Sequence, residues 1–145
     1  MVKNLQVYSD DPSIRKRAIH SLISSLKSEF ELEISFLSIS FISSKELRVI
    51  NKKYLNHDYN TDIITFNYSK KNNEIDGEIL ISFEDAGINA KKYKTNYSKE
   101  ICRLIIHGVL HLLNYNDNSK KNRAIMKQME NKLIKINNFT LLAGK

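Results

Sequence analysis

Residues that break, bend or staple a chain are scarce. One cysteine, Cys102, leaves no partner for an internal disulfide, and two half-size domains would need such staples. With 4 glycines and 1 proline there is no collagen repeat, no proline-rich linker and no glycine-rich phosphate loop. No apolar run approaches the roughly 20 residues of a membrane span, so no membrane partner is expected. The opening stretch from Met1 to Pro12 turns polar too early for a signal peptide. A lone thiol without an export signal leads to the expectation of a cytoplasmic protein. What is present is a hydrophobic share of 41%, including 7 Tyr and 6 Phe, in 145 residues. That supplies an ordinary core for a single domain over 1–145.

The formal charge of +7 is unevenly placed. Residues 1–117 hold 16 Lys and Arg against 15 Asp and Glu, a net +1. Residues 118–145 hold 7 Lys and Arg and only Glu130 as an acid, a net +6. Such a block attracts nucleic acid or an acidic membrane surface, and it also serves as the solvated face of a helix. Lys120, Lys121 and Arg123 are its candidate nucleic-acid contacts.

Along the chain, Leu5 to Tyr8 reads as a strand, and Asp11 before Pro12 suits an N-cap, predicting a helix from about residue 12. Ile34, Phe36, Ile39 and Phe41 mark a second strand, and Leu47, Ile50 and Tyr54 a second helix. Residues 62–66 and 78–82 read as two further strands with a hairpin-like connection, and 83–93 as a helix. Ser98 with Glu100 and Ile101 opens a helix that is apolar on almost every side and so should run through the core. Asn114 stands where a left-handed residue would end it. A last helix, about 119–136, carries Ile125, Met129, Leu133 and Ile136 as its expected buried stripe. The expected class is α+β: a small mixed sheet with helices packed on it, and a metal site at the end of the buried helix.

His107 and His111 lie four apart on that helix, and therefore on one face, where both imidazoles can reach one divalent ion. Gly108 between them implies a close approach to the backbone, since glycine costs a helix interior about 1 kcal/mol relative to alanine. Asp117, just past the helix end, is the candidate third ligand. Two histidines and a carboxylate leave an open position, the pattern of a catalytic zinc site. Two satisfied core histidines would show the same spacing, so both readings stand on the residues alone. The zinc-protease reading fails, because the position after the first histidine is Gly108 rather than Glu. Cys102 reads as a small core residue.

The stretch His107-Gly-Val-Leu-His111-Leu-Leu-Asn-Tyr115-Asn-Asp117 resembles the signature His-Gly-x-Leu-His-Leu-x-Gly-Tyr-Asp-His of the YbeY family of metal-dependent endoribonucleases. That family's Tyr-Arg-x-Lys-Asp-x-Pro-Thr-Asp-Val-Leu-Ser-Phe is matched by Tyr54, Asp58, Thr61, Asp62 and Phe66, and its next strand by Gly77 to Ser82. The resemblance implies a cytoplasmic endoribonuclease specific for single-stranded RNA, with one Zn(2+) per chain. It implies action on ribosomal RNA and the small ribosomal subunit, in 3′-end maturation and ribosome quality control.

Three departures stand out. The third histidine is Asp117, an acceptable zinc ligand, and the glycine is Asn114, which tolerates the left-handed conformation. The family's arginine, associated with the RNA substrate, is Leu55. His57, Lys52 and Lys53 are the nearby candidates for the missing phosphate contact, with His57 the candidate catalytic side chain beside a zinc-bound water. No general base is identified, and attack by the RNA 2′-hydroxyl remains compatible. Two other classes also stay open: a zinc hydrolase of a small or peptide substrate, and a non-catalytic zinc-stabilised RNA- or ribosome-binding factor, which Leu55 favours.

Overall fold

The computed structural model describes residues 1–59 and 61–137. Its elements run β1 (Leu5–Ser9), α1 (Lys16–Phe30), β2 (Glu33–Ile42), α2 (Ser44–Leu55), β3 (Ile63–Asn67), β4 (Glu74–Ser82), α3 (Phe83–Lys92), α4 (Tyr97–Leu112) and α5 (Lys120–Ile136). The four strands form one mixed sheet in the order β1-β2-β4-β3. β1, β2 and β4 are parallel and β3 returns antiparallel to β4, the α+β arrangement expected.

The central strands owe their position to the apolar residues they place on the core side. Leu37, Ile39 and Phe41 of β2 and Ile79 and Ile81 of β4 are all fully buried. Ile34 pairs with Ile75 but Phe36 pairs with Asp76, so Ser35 is an extra residue in β2. This bulge resets the alternation and turns Leu37 rather than Phe36 toward the core.

α4 is the helical spine of the core. Ile101, Ile105, Ile106 and Leu110 are fully buried, and the helix packs on β3, β4, α3 and α5. Gly108 permits that seat. A Cβ there would stand 2.9 Å from Ile79 Cδ1 and 3.2 Å from Ile63 Cδ1, so the inferred close approach is the sheet itself. Gly77 on β4 is its counterpart: a Cβ would run into the Phe66 carbonyl and lie 2.9 Å from Leu112 Cδ2. Asn67 at the end of β3 donates through Nδ2 to Leu112 O at 3.3 Å and Asn114 Oδ1 at 3.4 Å, tying the edge strand to the end of α4. Asn114 has φ 71°, the left-handed residue expected there.

Three local expectations are corrected. α1 begins at Lys16 with Arg15 as its N-cap, not near residue 12. Asp11 instead opens a turn closed by Ile14 N–H donating to Asp11 O at 3.3 Å, with Pro12 at the position where turns favour it. The Asp11 carboxylate is taken up by Ser13 N–H at 2.9 Å, Ser13 Oγ at 2.8 Å and Tyr97 Oη at 2.7 Å. α4 opens at Tyr97, capped by Asn96, whose side chain accepts from Lys99 N–H at 2.7 Å, rather than at Ser98. In α5, Met126, Glu130 and Leu133 are buried, whereas Ile125 and Ile136 are exposed. The buried face therefore includes Glu130, which meets Arg103 and His107 of α4. Lys145 of the basic block lies outside the described residues.

Candidate metal centre

The last two turns of α4 and the loop beyond it bring three donors together. His107 Nε2 and His111 Nε2 face each other at 3.0 Å, and Asp117 Oδ2 lies 3.8 Å from His111 Nε2. Among the described residues, one ligand atom from each of His107, His111 and Asp117 lies within 4.8 Å of the others. Tetrahedral bonds of 2.0–2.1 Å require donors about 3.3 Å apart, so the histidine pair already has close to the needed bite. Asp117 is the exposed member, carried by the loop that Asn114 turns back from the helix. Burial, then the neighbouring His107, push His111 below the ordinary imidazole range, while Asp117 and Glu130 oppose the shift. A neutral imidazole is the form that ligates metal. Two nitrogens and one oxygen with a free side suit a borderline cation such as zinc.

His111 also forms part of the wall of a cleft of ≈ 240 Å³, lined further by Asn51, Leu55, His57, Tyr59 and Thr61 together with Ile63, Ile64 and Thr65 of β3. Leu55 and His57 therefore share a cavity with one of the three candidate donors. His57 is exposed, stacks on Tyr59 with ring centroids 5.1 Å apart, and has Nδ1 3.0 Å from Tyr59 Oη. Lys52 and Lys53 are exposed on α2 and outside this lining. Lys52 Nζ is 3.9 Å from Asp58 Oδ2, and Lys53 Nζ lies 5.3 Å from the Tyr54 ring centroid. Lys120, Lys121 and Arg123 are exposed at the start of α5, whose first turn contains no acid. Of the three, Arg123 reaches the loop that carries Asp117, donating from Nη1 to Asp117 O at 3.2 Å.

The residue that sequence reasoning passed over is Glu130. It is 5% exposed, with Oε2 2.6 Å from His107 Nδ1 and Oε1 accepting from Arg103 Nη1 at 3.3 Å. Its signal was present: a single acid among seven bases, spaced four and three from the buried Met126 and Leu133.

Comparison with known proteins finds relatives over most of the chain. The sequence model of the family described as Endoribonuclease YbeY matches residues 3–138. Endoribonuclease YbeY of Parabacteroides distasonis is 37% identical over 132 residues, covering 89% of this chain and 92% of that protein. Its namesake from Bacteroides fragilis is 38% identical over 123 residues, covering 85% of this chain and 88% of the other. The solution structure of TM1509 from Thermotoga maritima superposes with a TM-score of 0.61 over 97% of this chain and 99% of that one, a likeness of fold at 20% identity.

Proposed function

The chain belongs to the endoribonuclease YbeY family, and from that premise we propose that it is a zinc-dependent endoribonuclease of single-stranded RNA. The proposed catalytic unit is the single domain over 1–145. The proposed substrate is ribosomal RNA of the small subunit in the cytoplasm, in 3′-end maturation and ribosome quality control. No helix among the described residues is long and apolar enough to cross a membrane. The observation that carries the reading is the convergence of His107, His111 and Asp117 beside the cleft that holds Leu55 and His57.

In this reading His107, His111 and Asp117 hold one zinc ion. A divalent cation so placed supplies a Lewis acid for a phosphoryl oxygen and lowers the pKa of a bound water to about 7. The chain's own part is positional. Ile63, Ile64 and Leu55 give the cleft an apolar wall that thins the water around the reacting phosphate, which strengthens charge interactions there. His57, steadied by its stack on Tyr59, is the candidate side chain for a phosphate oxygen. Lys120 and Lys121 open α5 where the helix dipole disfavours cations, and an RNA phosphate would relieve that cost.

The test is single-turnover cleavage of labelled single-stranded RNA, duplex RNA and a peptide, with and without chelator. Cleavage of the single strand alone, abolished by chelator and restored by zinc, is expected. Peptide cleavage without RNA cleavage would transfer the chain to the alternative hydrolase class. Tight RNA binding with no metal-dependent cleavage would make it the binding factor that Leu55 favours.

The basic block gives a second expected result. Each phosphate contact on a single strand contributes about 0.7 to the salt slope of binding. Replacing Lys120 and Lys121 by Gln should weaken RNA binding and flatten log K against log salt by about 1.4 when both touch phosphate. Arg123 is left in place because its bond to the Asp117 carbonyl would mix a metal-loop effect into the result. An unchanged slope would assign the two lysines to a solvated helix face.

A further inference from the structure

Beneath the metal ligands lies a chain of buried and half-buried charges that the proposed reaction does not itself use. Glu100, Arg103 and His107 follow one face of α4 at spacings of three and four, and Glu130 of α5 closes the row. Glu100, 2% exposed, accepts from Arg103 at two points, Nε at 2.9 Å and Nη2 at 2.6 Å. Arg103 Nη1 donates to Glu130 Oε1 at 3.3 Å, and Glu130 Oε2 meets His107 Nδ1 at 2.6 Å. The other nitrogen of that ring, Nε2, is the one turned toward His111.

An ionised carboxylate only accepts hydrogen bonds, so the 2.6 Å contact is satisfied when His107 Nδ1 carries the proton. The Nε2 lone pair is then left facing the other two donors. The opposite tautomer would set lone pair against lone pair at Glu130 and point an N–H at the metal position. Fold stability alone gives little reason for this network, because a buried ion pair contributes no more than well-packed apolar side chains of the same volume. An aliphatic residue at 130 would continue the stripe of Met126 and Leu133. Rotating α5 to bury an acid there, and leaving Ile125 and Ile136 in solvent, has its return at the ring of His107.

We propose that Glu130 is a positioning residue of the metal centre. It holds His107 in the Nδ1–H tautomer and strengthens Nε2 as a ligand for a divalent cation, while Arg103 and Glu100 fix the direction of its carboxylate. The proposal rests on the metal-site reading above and adds to it an outer residue 23 positions away in sequence.

The test compares wild type, Glu130→Gln and Glu130→Ala. Zinc affinity is read by competition with a chromogenic chelator at fixed pH, and the His107 tautomer by ¹⁵N NMR of the metal-free protein. Loss of an outer hydrogen-bond partner of a ligating histidine weakens metal binding by about 10- to 100-fold. Glu130→Ala should fall in that range and Glu130→Gln, which retains shape and an acceptor but no charge, near its lower end. The wild-type ring should show a protonated Nδ1 and a bare Nε2, and both variants a mixture of tautomers. Denaturant unfolding of the metal-free variants separates this from a purely structural role, which would lower stability yet leave the tautomer unchanged. Glu130→Asp, with the charge kept, should recover part of the affinity. Equal zinc affinity in wild type and both variants, with one tautomer throughout, would overturn the proposal while leaving the metal site standing. A wild type that binds no zinc would overturn both.

Discussion

His107→Ala and His111→Ala should each cost more than the about 100-fold in zinc affinity that bounds the loss of an outer partner, and both should abolish metal-dependent cleavage. Each removes one of three protein donors from a site in which no fourth candidate stands within reach among the described residues. The two variants should nevertheless differ in the metal-free protein. His107→Ala leaves Glu130 Oε2, now buried, without its 2.6 Å partner, and an orphaned buried acceptor costs about 1–3 kcal/mol. His111 binds no buried acid, so His111→Ala should lose the metal with little change in apo stability. Asp117 is the most exposed ligand, with a side chain 50% accessible against 19% for His107 and 27% for His111. Water can take its place, so Asp117→Ala should be the mildest of the three, and Asp117→His should keep the metal. Metal content by mass spectrometry on protein purified without added zinc reads the series directly. Full zinc occupancy in the His107→Ala/His111→Ala double variant would sink the site.

Leu55→Arg is expected to speed cleavage. Leu55 is the last residue of α2, 38% exposed, and lines the same cleft as His111. A cation there is favourable to the helix dipole, and Asn56, left-handed at φ 57°, continues to cap the helix, so the substitution should not disturb the fold. Arginine would add a planar, always-charged fork that can hold a phosphate through two hydrogen bonds. A charge-assisted contact of about 2–3 kcal/mol realised only in the transition state corresponds to roughly 30- to 150-fold in rate. Zinc content should stay unchanged. His57, on the same cleft wall, is the residue proposed to compensate. His57→Ala should therefore slow the reaction, and the gain from Leu55→Arg should be larger in that background. Single-turnover rates of the four variants, with and without chelator, test this. Four equal rates would show that the reacting phosphate sits elsewhere.

How much of this was legible in the sequence depends on which force decided each element. The four strands, the buried α4 and the turn at Asn114 follow from burial and backbone conformation, which composition and spacing record directly. The histidine pair and Asp117 were legible for the same reason, because one helix and its exit loop carry all three. Asp11 misled because Asp-Pro serves both a helix cap and a turn, and the choice was made by Ser13 and by Tyr97, 86 residues away. The stripe of α5 misled because periodicity reports which face is most apolar, and here one polar contact outweighed it. Ile125 is exposed, while Glu130 is buried against His107 and Arg103. The cleft wall was half legible: Leu55 and His57 were marked by the family motif, but only the fold brings them beside His111.

The three proposed ligands lie within the eleven residues from His107 to Asp117, whereas the residues that surround them come from α2, β3 and α5. Closing so short a loop costs little entropy, so the unfolded chain retains some ability to chelate. Ligand-linked stabilisation counts only the preference for the folded over the unfolded state, and affinity for the latter subtracts from it. Zinc should therefore raise the melting temperature by less than its affinity alone would give. In the proposed reading, weak chelation needs only the end of α4 and its exit, full affinity adds Glu130 from α5, and the cleft adds α2 and β3.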